Sequence, residues 1–462
     1  MVTTIRKNCL IELNITDLNN LGYGVGHIDG MTVFVAGAVD GETVSARVIK
    51  VNRTYAVARL ESILTPSPHR IESSCKIRGC GGCAYQAVSY PHELELKRER
   101  IRTALRKNGL ADLEVAPVTG IKDEESNYVM SGYRNKIQMP FGLSPEGKIV
   151  IGYFSSRSHR VVEAADCPLQ DPSFRPILET VRSFAEQEQL TVYDETTGEG
   201  LLRHIYLRTG TVSGEVLVTL VINGISVPGE ERLVRQLLDT ENRIVGVLLN
   251  SNTEQTNVIC GDHYRLLYGR DYLTDRLCGV DLCISPQSFY QVNYHAAEAI
   301  YSKAKELLAL TGKETVLDLY CGTGSIGLSM AHSLNKLIGV EIVEDAVKCA
   351  KQNATLNGVE NAEFICEDAA NVNRYLVGLL GGSKGSVDAV ILDPPRKGCA
   401  QDLIDLLMNS NVPRIVYISC DPETLARDLV SLRQSYRCEI LYPYDLFPRT
   451  GHVESVVLMS RA

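Results

Sequence analysis

No run of about 18 consecutive apolar residues occurs in this chain, which excludes a helix built to cross a bilayer. The amino terminus has no charged-then-apolar stretch of the secretory kind, so the expected location is the cytoplasm. Positive charge is not in excess either. Lys and Arg number 47 against 56 Asp and Glu, and the net charge of -9 excludes a protein that coats nucleic acid by bulk charge, while leaving a local basic groove open. Fourteen cysteines in 462 residues are too sparse for a disulfide-built scaffold. There is no fixed-period repeat and no long low-complexity segment, which excludes a solenoid. What remains is a chain long enough for about three ordinary domains.

The first is read at residues 1–62. Cys9 to Ile15, Met31 to Val35, Gly41 to Lys50 and Asn52 to Leu60 have strand patterning, with a glycine-rich turn expected across Leu21–Gly30. Several short strands in some 60 residues predict a small β-barrel. Gly22, Gly24 and Gly26 do not match the dinucleotide-binding spacing, and no helix pattern follows them, so they are read as a turn or bulge. Arg47, Lys50, Arg53 and Arg59 favour an oligonucleotide platform over a mere spacer.

Pro66-Ser67-Pro68 marks a boundary, and a central α+β domain is expected over 63–275. It opens on Cys75-Lys-Ile-Arg-Gly-Cys80-Gly-Gly-Cys83, three thiols too close and too glycine-rich for core packing. Cys167 is the best distant fourth ligand. The residues by themselves leave an iron–sulfur cluster, zinc or no metal open. Residues 91–110 have helical periodicity, with Leu94, Leu96, Ile101 and Leu105 on the apolar side. Lys97, Arg98, Arg100, Arg102, Arg106 and Lys107 make that helix locally basic: a solvated face or a phosphate-contacting one. Tyr133–Met139 and Ile149–Phe154 read as strands, followed by a basic patch at Ser155–Arg160, and further strands are expected at Leu201–Leu207, Glu215–Ile222 and Arg243–Asn250.

From residue 276 to 462 the rhythm becomes strand–helix. Strands are predicted at Thr315–Leu319, Lys336–Glu341 and Ala362–Asp368, with helices at Tyr294–Leu308, from Ser325 to Ala331, and at Ala346–Asn357: a doubly wound α/β pattern. The loop Asp318-Leu-Tyr-Cys-Gly-Thr-Gly324 lacks the lysine of a nucleotide phosphate loop and the dinucleotide spelling. Gly322 and Gly324 permit close ligand approach, Glu341 at a strand end suits ribose hydroxyls, and Asp368 is placed to reach an adenine. That set points to S-adenosylmethionine. Two further strands end in chemistry-bearing turns: Val387–Leu392 before Asp393-Pro-Pro-Arg396, and Ile415–Ile418 before Ser419-Cys420-Asp421-Pro422.

Over nearly its full length the chain resembles the bacterial RNA uracil-5-methyltransferases, and specifically their iron–sulfur-containing branch acting on ribosomal RNA. The resemblance is carried by Ser285-Pro-Gln-Ser-Phe-Tyr-Gln-Val-Asn293, the Asp318–Gly324 loop, Asp393-Pro-Pro-Arg-Lys-Gly398, Ser419–Thr424, Phe447-Pro-Arg-Thr-Gly-His-Val-Glu454 and the four cysteines. It implies a TRAM-like, OB-type barrel at the amino terminus and a Rossmann-like, S-adenosylmethionine-dependent catalytic domain at the carboxyl terminus. It implies one [4Fe–4S] cluster on Cys75, Cys80, Cys83 and Cys167, although four residues separate Cys75 from Cys80 where the family commonly has five. Cys420 is then the nucleophile that adds to C6 of uracil, and Glu454 the base that removes the C5 proton. Gln291, Tyr320, Glu341 and Asp393 fall at the cofactor site. Phe289 is expected to pack the target base and Arg396 to orient a phosphate or carboxylate. Because the tRNA-modifying branch typically lacks both the barrel and the cysteine set, the expected partner is 23S ribosomal RNA before ribosome assembly is complete, with no obligatory protein partner. The alternatives are a tRNA uridine, or an RNA-binding assembly factor without activity.

Overall fold

The computed structural model describes residues 5–155, 158–369, 378, 380 and 387–462. Ser156 and Arg157 of the expected basic patch lie outside the described residues. No helix among those described is long and apolar enough to cross a membrane.

Strands β1 (Leu10–Leu18), β2 (Tyr23–Ile28), β3 (Met31–Ala36), β4 (Thr43–Val51) and β5 (Tyr55–Thr65) close into a barrel in the order β1-β2-β3-β5-β4. Its core is made of small and branched side chains, among them Ile15, Val33, Val35, Val44, Ala46 and Ala58. The stretch expected as a turn or bulge is a paired strand, with a register shift in β1 opposite Val25 and Gly26. β2 takes its glycines because the wall is tight there: a methyl on Gly24 would stand 2.8 Å from Ile15 Cγ2 and 2.9 Å from the Ala38 methyl.

Helix α1 (Tyr90–Lys107) follows, then the two-residue strand β6 (Glu114–Val115). The central layer comprises β7 (Lys136–Leu143), β8 (Ile149–Phe154), β9 (Val161–Glu163), α2 (Phe174–Gln187), β10 (Leu202–Thr209), β11 (Val216–Ile222), α3 (Glu230–Thr240), β12 (Ile244–Ser251) and β13 (His263–Gly269). Its seven strands run β13-β12-β11-β10-β7-β8-β9. Ile137, Met139, Ile205, Leu207 and Val218 cover one face with the apolar sides of α2 and α3.

The cysteine loops of this layer correct the expected cofactor. Among the described residues, which include Cys75, Cys80, Cys83 and Cys167, no group of three or more His, Cys, Asp or Glu side chains is arranged to hold a metal ion. Each cysteine's backbone has its own anchor: Cys75 N–H donates to Ser73 Oγ (3.2 Å), Cys80 bridges to Ser155, and Cys167 N–H donates to Ala164 O (3.1 Å). Burial pushes the Cys83 thiol up to about 11 and raises Cys167 as well, with the neighbouring cysteines adding to both. Neither the [4Fe–4S] cluster nor the zinc alternative has a ligand set here.

A hairpin of β14 (Leu273–Leu277) and β15 (Val280–Ile284) leads into the last layer: α4 (Tyr294–Leu308), β16 (Thr315–Leu319), α5 (Ser325–Met330), β17 (Lys336–Glu341), α6 (Glu344–Leu356), β18 (Ala362–Cys366), β19 (Ala389–Leu392), α7 (Gln401–Asn409), β20 (Arg414–Ser419), α8 (Pro422–Leu432), β21 (Tyr436–Tyr444) and β22 (Glu454–Arg461). The sheet order is β18-β17-β16-β19-β20-β22-β21-β6. β16 to β20 are parallel to their neighbours, and β22 enters antiparallel between β20 and β21. Their continuous apolar runs reflect burial on both faces. Leu317, Leu319, Val390, Leu392, Ile415 and Tyr417 pack toward α1, α7 and α8, whereas Val316, Ala389, Ile391, Val416 and Ile418 pack toward α4, α5 and α6.

Candidate active site

Strand order reverses between β16 and β19, and the crevice outside the carboxyl ends of such strands is where open α/β sheets hold ligands. The loop after β16 begins with Tyr320 at φ +65°, a left-handed conformation that a tyrosine adopts only under local constraint. Glu341, at the end of β17, accepts from Gly322 N–H (3.0 Å) and Val343 N–H (2.9 Å), which ties the glycine loop to the next strand. Gly322 itself has φ +55°, and a methyl placed on it would meet nothing within 4 Å, so the loop opens onto free space. Burial raises the Tyr320 hydroxyl, with the charges of Cys399 and Asp368 adding to the effect.

Asp318 does more than the sequence reading allotted it. One carboxylate oxygen accepts from Gly327 N–H at 3.0 Å, and the other, fully buried, has no hydrogen-bond partner. Burial, reinforced by Asp393 and Glu341, pushes Asp318 up to about 8. Asp393 is raised to about 7 by burial. The signal for Asp318 was present in the sequence: an acid at the fourth position of a five-residue strand that is otherwise built for the interior. Three carboxyls gathered at these strand ends, Asp318 fully buried and Glu341 and Asp393 half-buried, favour a cationic ligand. The sulfonium and ammonium groups of S-adenosylmethionine meet that demand, and the free carboxylate oxygen and the open glycine loop show that these residues fit it.

The second half of the site is set by β20, α8 and β22. Asp421 caps α8, accepting from Glu423 N–H (3.0 Å) and Thr424 N–H (3.1 Å), and Pro422 occupies the first turn where no donor is needed. Cys420 is thereby held at the elbow between strand and helix. Ser419 pairs with Ser455 in the antiparallel register of β20 and β22, so Cys420 and Glu454 are the next residues along the same two strands. Their electrostatics agree with that placement. Burial, then Glu454 and Asp393, push the Cys420 thiol up to about 12 against the opposing charge of Arg396. Glu454 is 6% exposed, and burial together with Asp393 raises it to about 8, again opposed by Arg396. Arg396 is exposed, one residue beyond the Pro394-Pro395 turn.

The loop carrying Glu454 is pinned along its length. Lys97 Nζ donates to Phe447 O (3.2 Å), Tyr133 Oη to Pro448 O (3.0 Å), and Arg100 to Gly451 O (2.6 Å). Arg449 N–H donates to Glu93 (2.7 Å). Lys97, read from the sequence as part of a basic face, is wholly buried between Glu93 (2.8 Å) and Asp445 (2.7 Å). Arg98 and Arg100 likewise spend their guanidinium groups on carbonyls, of Val115 and Gly451, and Arg102 and Arg106 pair with Glu95 and Glu99. The helix is a support for the site. His452 is pushed down to about 4 by burial and by Arg396, Arg100, Lys97 and Arg134, so it is neutral near pH 7.

Two expected residues lie on the loop between β15 and α4. Phe289 is 61% exposed on the loop leading to α4. Gln291, two residues on, is half-buried, and its carbonyl accepts from Asn135 Nδ2 at 2.9 Å.

Residues 206–462, comprising the end of the central layer and this whole site, match the family described as tRNA (uracil-5-)-methyltransferase. The chain belongs to that family. Its carboxyl-terminal layer is an S-adenosylmethionine-dependent methyltransferase fold, and residues 10–60 match the TRAM domain, which coincides with the barrel. Family relatives span the whole chain. An uncharacterized RNA methyltransferase of Clostridium tetani is 38% identical over 459 residues, 99% of this chain and 97% of its own length. Another from Bacillus cereus is 36% identical over 466 residues, 100% of this chain and 98% of its own. Among solved structures, the Pyrococcus abyssi tRNA (uracil-54, C5)-methyltransferase in complex with S-adenosyl-L-homocysteine aligns with a TM-score of 0.77 at 28% identity, covering 97% of this chain and 99% of its own.

Proposed function

We propose that this methyltransferase transfers a methyl group from S-adenosylmethionine to C5 of a uridine in tRNA, through a covalent adduct between Cys420 and C6. The observation that carries the chemistry is the β20–β22 register, which sets a thiol and a buried carboxyl side by side at the mouth of the cofactor crevice. C5 of uracil is a weak nucleophile. Bonding of the Cys420 sulfur to C6, with the thiol proton passing to solvent, moves electron density onto C5. The bound cofactor would supply the electrophilic methyl: C5 bonds to it, the S–CH3 bond breaks, and the sulfonium sulfur keeps that electron pair and leaves as a neutral thioether. Glu454, as carboxylate, then takes the C5 proton; the C5–C6 double bond reforms and the C6–S bond breaks, freeing Cys420. Asp393, Asp318 and Glu341 hold the cationic cofactor, Tyr320, Gln291 and Asp368 border it, and Phe289 offers an exposed ring against which an extruded base stacks. Arg396 lowers both Cys420 and Glu454 toward their ionised forms.

The choice of tRNA follows from what no longer argues for ribosomal RNA. That expectation rested on the barrel and on the cysteine set. The archaeal enzyme named for tRNA aligns over 97% of this chain, barrel included, and the cysteines have no metal-holding arrangement. The test is transfer from labelled S-adenosylmethionine to tRNA and to 23S fragments, with the labelled base identified by mass spectrometry. Label in 5-methyluridine of tRNA is the expected result. Label confined to 23S RNA would restore the ribosomal reading, and binding without transfer would leave an assembly factor. Within the reaction, Cys420→Ala abolishes both product and adduct, whereas Glu454→Gln accumulates a methylated adduct on Cys420. Turnover without Cys420, or an adduct on another cysteine, would sink the mechanism.

A further inference from the structure

One face of the central sheet carries α2 and α3; on the other, which packs toward the carboxyl-terminal layer, lies a group of buried and half-buried cations with no acid among them. Lys136 on β7 and Arg208 on β10 are direct partners in the antiparallel register. Like charges placed opposite each other across a sheet destabilise it. Arg208 is 1% exposed: one nitrogen donates to Ser285 O at 3.2 Å, while its buried Nε has no partner. Arg134, two residues before Lys136, also has a buried Nε without a partner. Neither arginine nor the lysine forms an ion pair among the described residues, and every Asp and Glu of the chain is described. The groups facing Lys136 are Arg208, Arg134 and the Cys260 thiol; burial and the two arginines push it down to about 8. An uncompensated buried cation is costly, and three of them in mutual range are a vacancy for negative charge.

We infer that Lys136 and Arg208, flanked by Arg134, form a phosphodiester subsite for the RNA strand that carries the target uridine. The placement relative to the site supports this. Arg208 donates to Ser285, the first residue of the loop bearing Phe289 and Gln291, and Asn135, between Arg134 and Lys136, binds that loop through its side chain to Gln291 O and its N–H to Val292 O (2.9 Å each). The loop bearing the exposed Phe289 ring is thus tied directly to this end of β7 and β10. Guanidinium and ammonium donors give the bidentate and point-charge contacts that phosphates take. The inference rests on the RNA substrate proposed above.

The experiment titrates a fluorescent tRNA transcript into the full-length protein loaded with S-adenosylhomocysteine, across a series of salt concentrations. It compares wild type, Lys136→Met and Lys136→Arg, with transfer activity measured in parallel on wild type. Lys136→Met is expected to bind about tenfold more weakly at low salt and to lose roughly 0.7–0.9 from the slope of log affinity against log salt, the signature of one phosphate contact. Lys136→Arg keeps the charge and restores the slope. An unchanged slope in Lys136→Met, with wild type active on RNA, overturns the subsite alone. An equal loss in both variants shows a structural lysine and also overturns it. A wild type that neither binds nor methylates RNA defeats the substrate assignment and the subsite together.

Discussion

Asp318, Asp393 and Glu454 hold protons that ordinary carboxyls release, and this has two measurable consequences. Unfolded, these groups ionise near 3.8 to 4.5; folded, they do so at about 8, 7 and 8. In these three groups the folded form therefore binds more protons across that window, so their contribution to stability is fully present below about pH 4 and is lost as the pH rises toward 8. Denaturant unfolding of the cofactor-free protein at pH 5 and pH 8 should show the decline, and Asp318→Asn should flatten it by about one proton's worth. A pH dependence unchanged by Asp318→Asn would show that this carboxyl is ionised in the fold. The second consequence concerns turnover. Glu454 acts as a base only when ionised, so release of the methylated adduct in a single-turnover experiment should accelerate as pH approaches about 8 and then level off. An adduct decay that is flat from pH 6 to 9 would remove Glu454 from the role of base.

At the scale of elements, α1 is the buttress of the catalytic loop. Its Lys97 lies in a dry network with Glu93 and Asp445, joined by Arg449, which contacts Glu93 at 3.4 Å, and by Tyr90, whose hydroxyl donates to Asp445 at 2.7 Å. Burial raises Glu93, opposed chiefly by the Lys97 charge, so the ammonium is what keeps this acid compatible with the interior. Lys97→Met leaves Asp445 without its cation and Glu93 with Arg449 alone, and is expected to cost about 3–5 kcal/mol. Adding Glu93→Gln and Asp445→Asn should recover part of it. Urea unfolding of the single and triple variants measures both steps; a single variant within about 0.5 kcal/mol of wild type would mean that the network contributes nothing to stability.

On the scale of the whole molecule, three layers meet at Phe447–Glu454. Tyr133 from the edge of the central layer holds Pro448 O, Tyr85 N–H donates to Arg449 O (3.1 Å), and Gly451 lies against the barrel at Asn20. The barrel is fastened nearby by Arg70 to Glu42 and to Gly37 O, and by His92 to Asp40. A methyl at Gly451 would run into the Asn20 carbonyl, so Gly451→Ala must shift either the barrel or the loop that positions Glu454. The expected outcome is a loss of about 1–3 kcal/mol in stability and of at least about tenfold in kcat/KM for RNA, with cofactor affinity retained. Unchanged kcat/KM and unchanged protease resistance of the barrel would show that the docking is irrelevant to catalysis.

The alternation and length of apolar runs were enough to place β16, β17 and α4, with bounds that agree with the structure, because local burial pattern alone decides where a strand or helix of that kind can lie. Punctuation did the same for Cys420: a proline after a buried strand leaves few conformations, and the Asp421 cap selects one. Periodicity misled where two strands or layers crowd each other. Gly24 looked like a turn because nothing in one strand reveals the residue facing it, and α1 looked like a basic surface because the acids that neutralise Lys97 include Asp445, distant in sequence. The cysteines were misread in the same way, since spacing counts thiols but does not aim them. What only the tertiary structure decided was register and enclosure: that Ser419 faces Ser455 and so brings Cys420 beside Glu454, and that Asp318 is sealed from water. Proton affinities depend on the medium and charges within a few ångströms, and those are assembled only when strands remote in sequence are laid side by side.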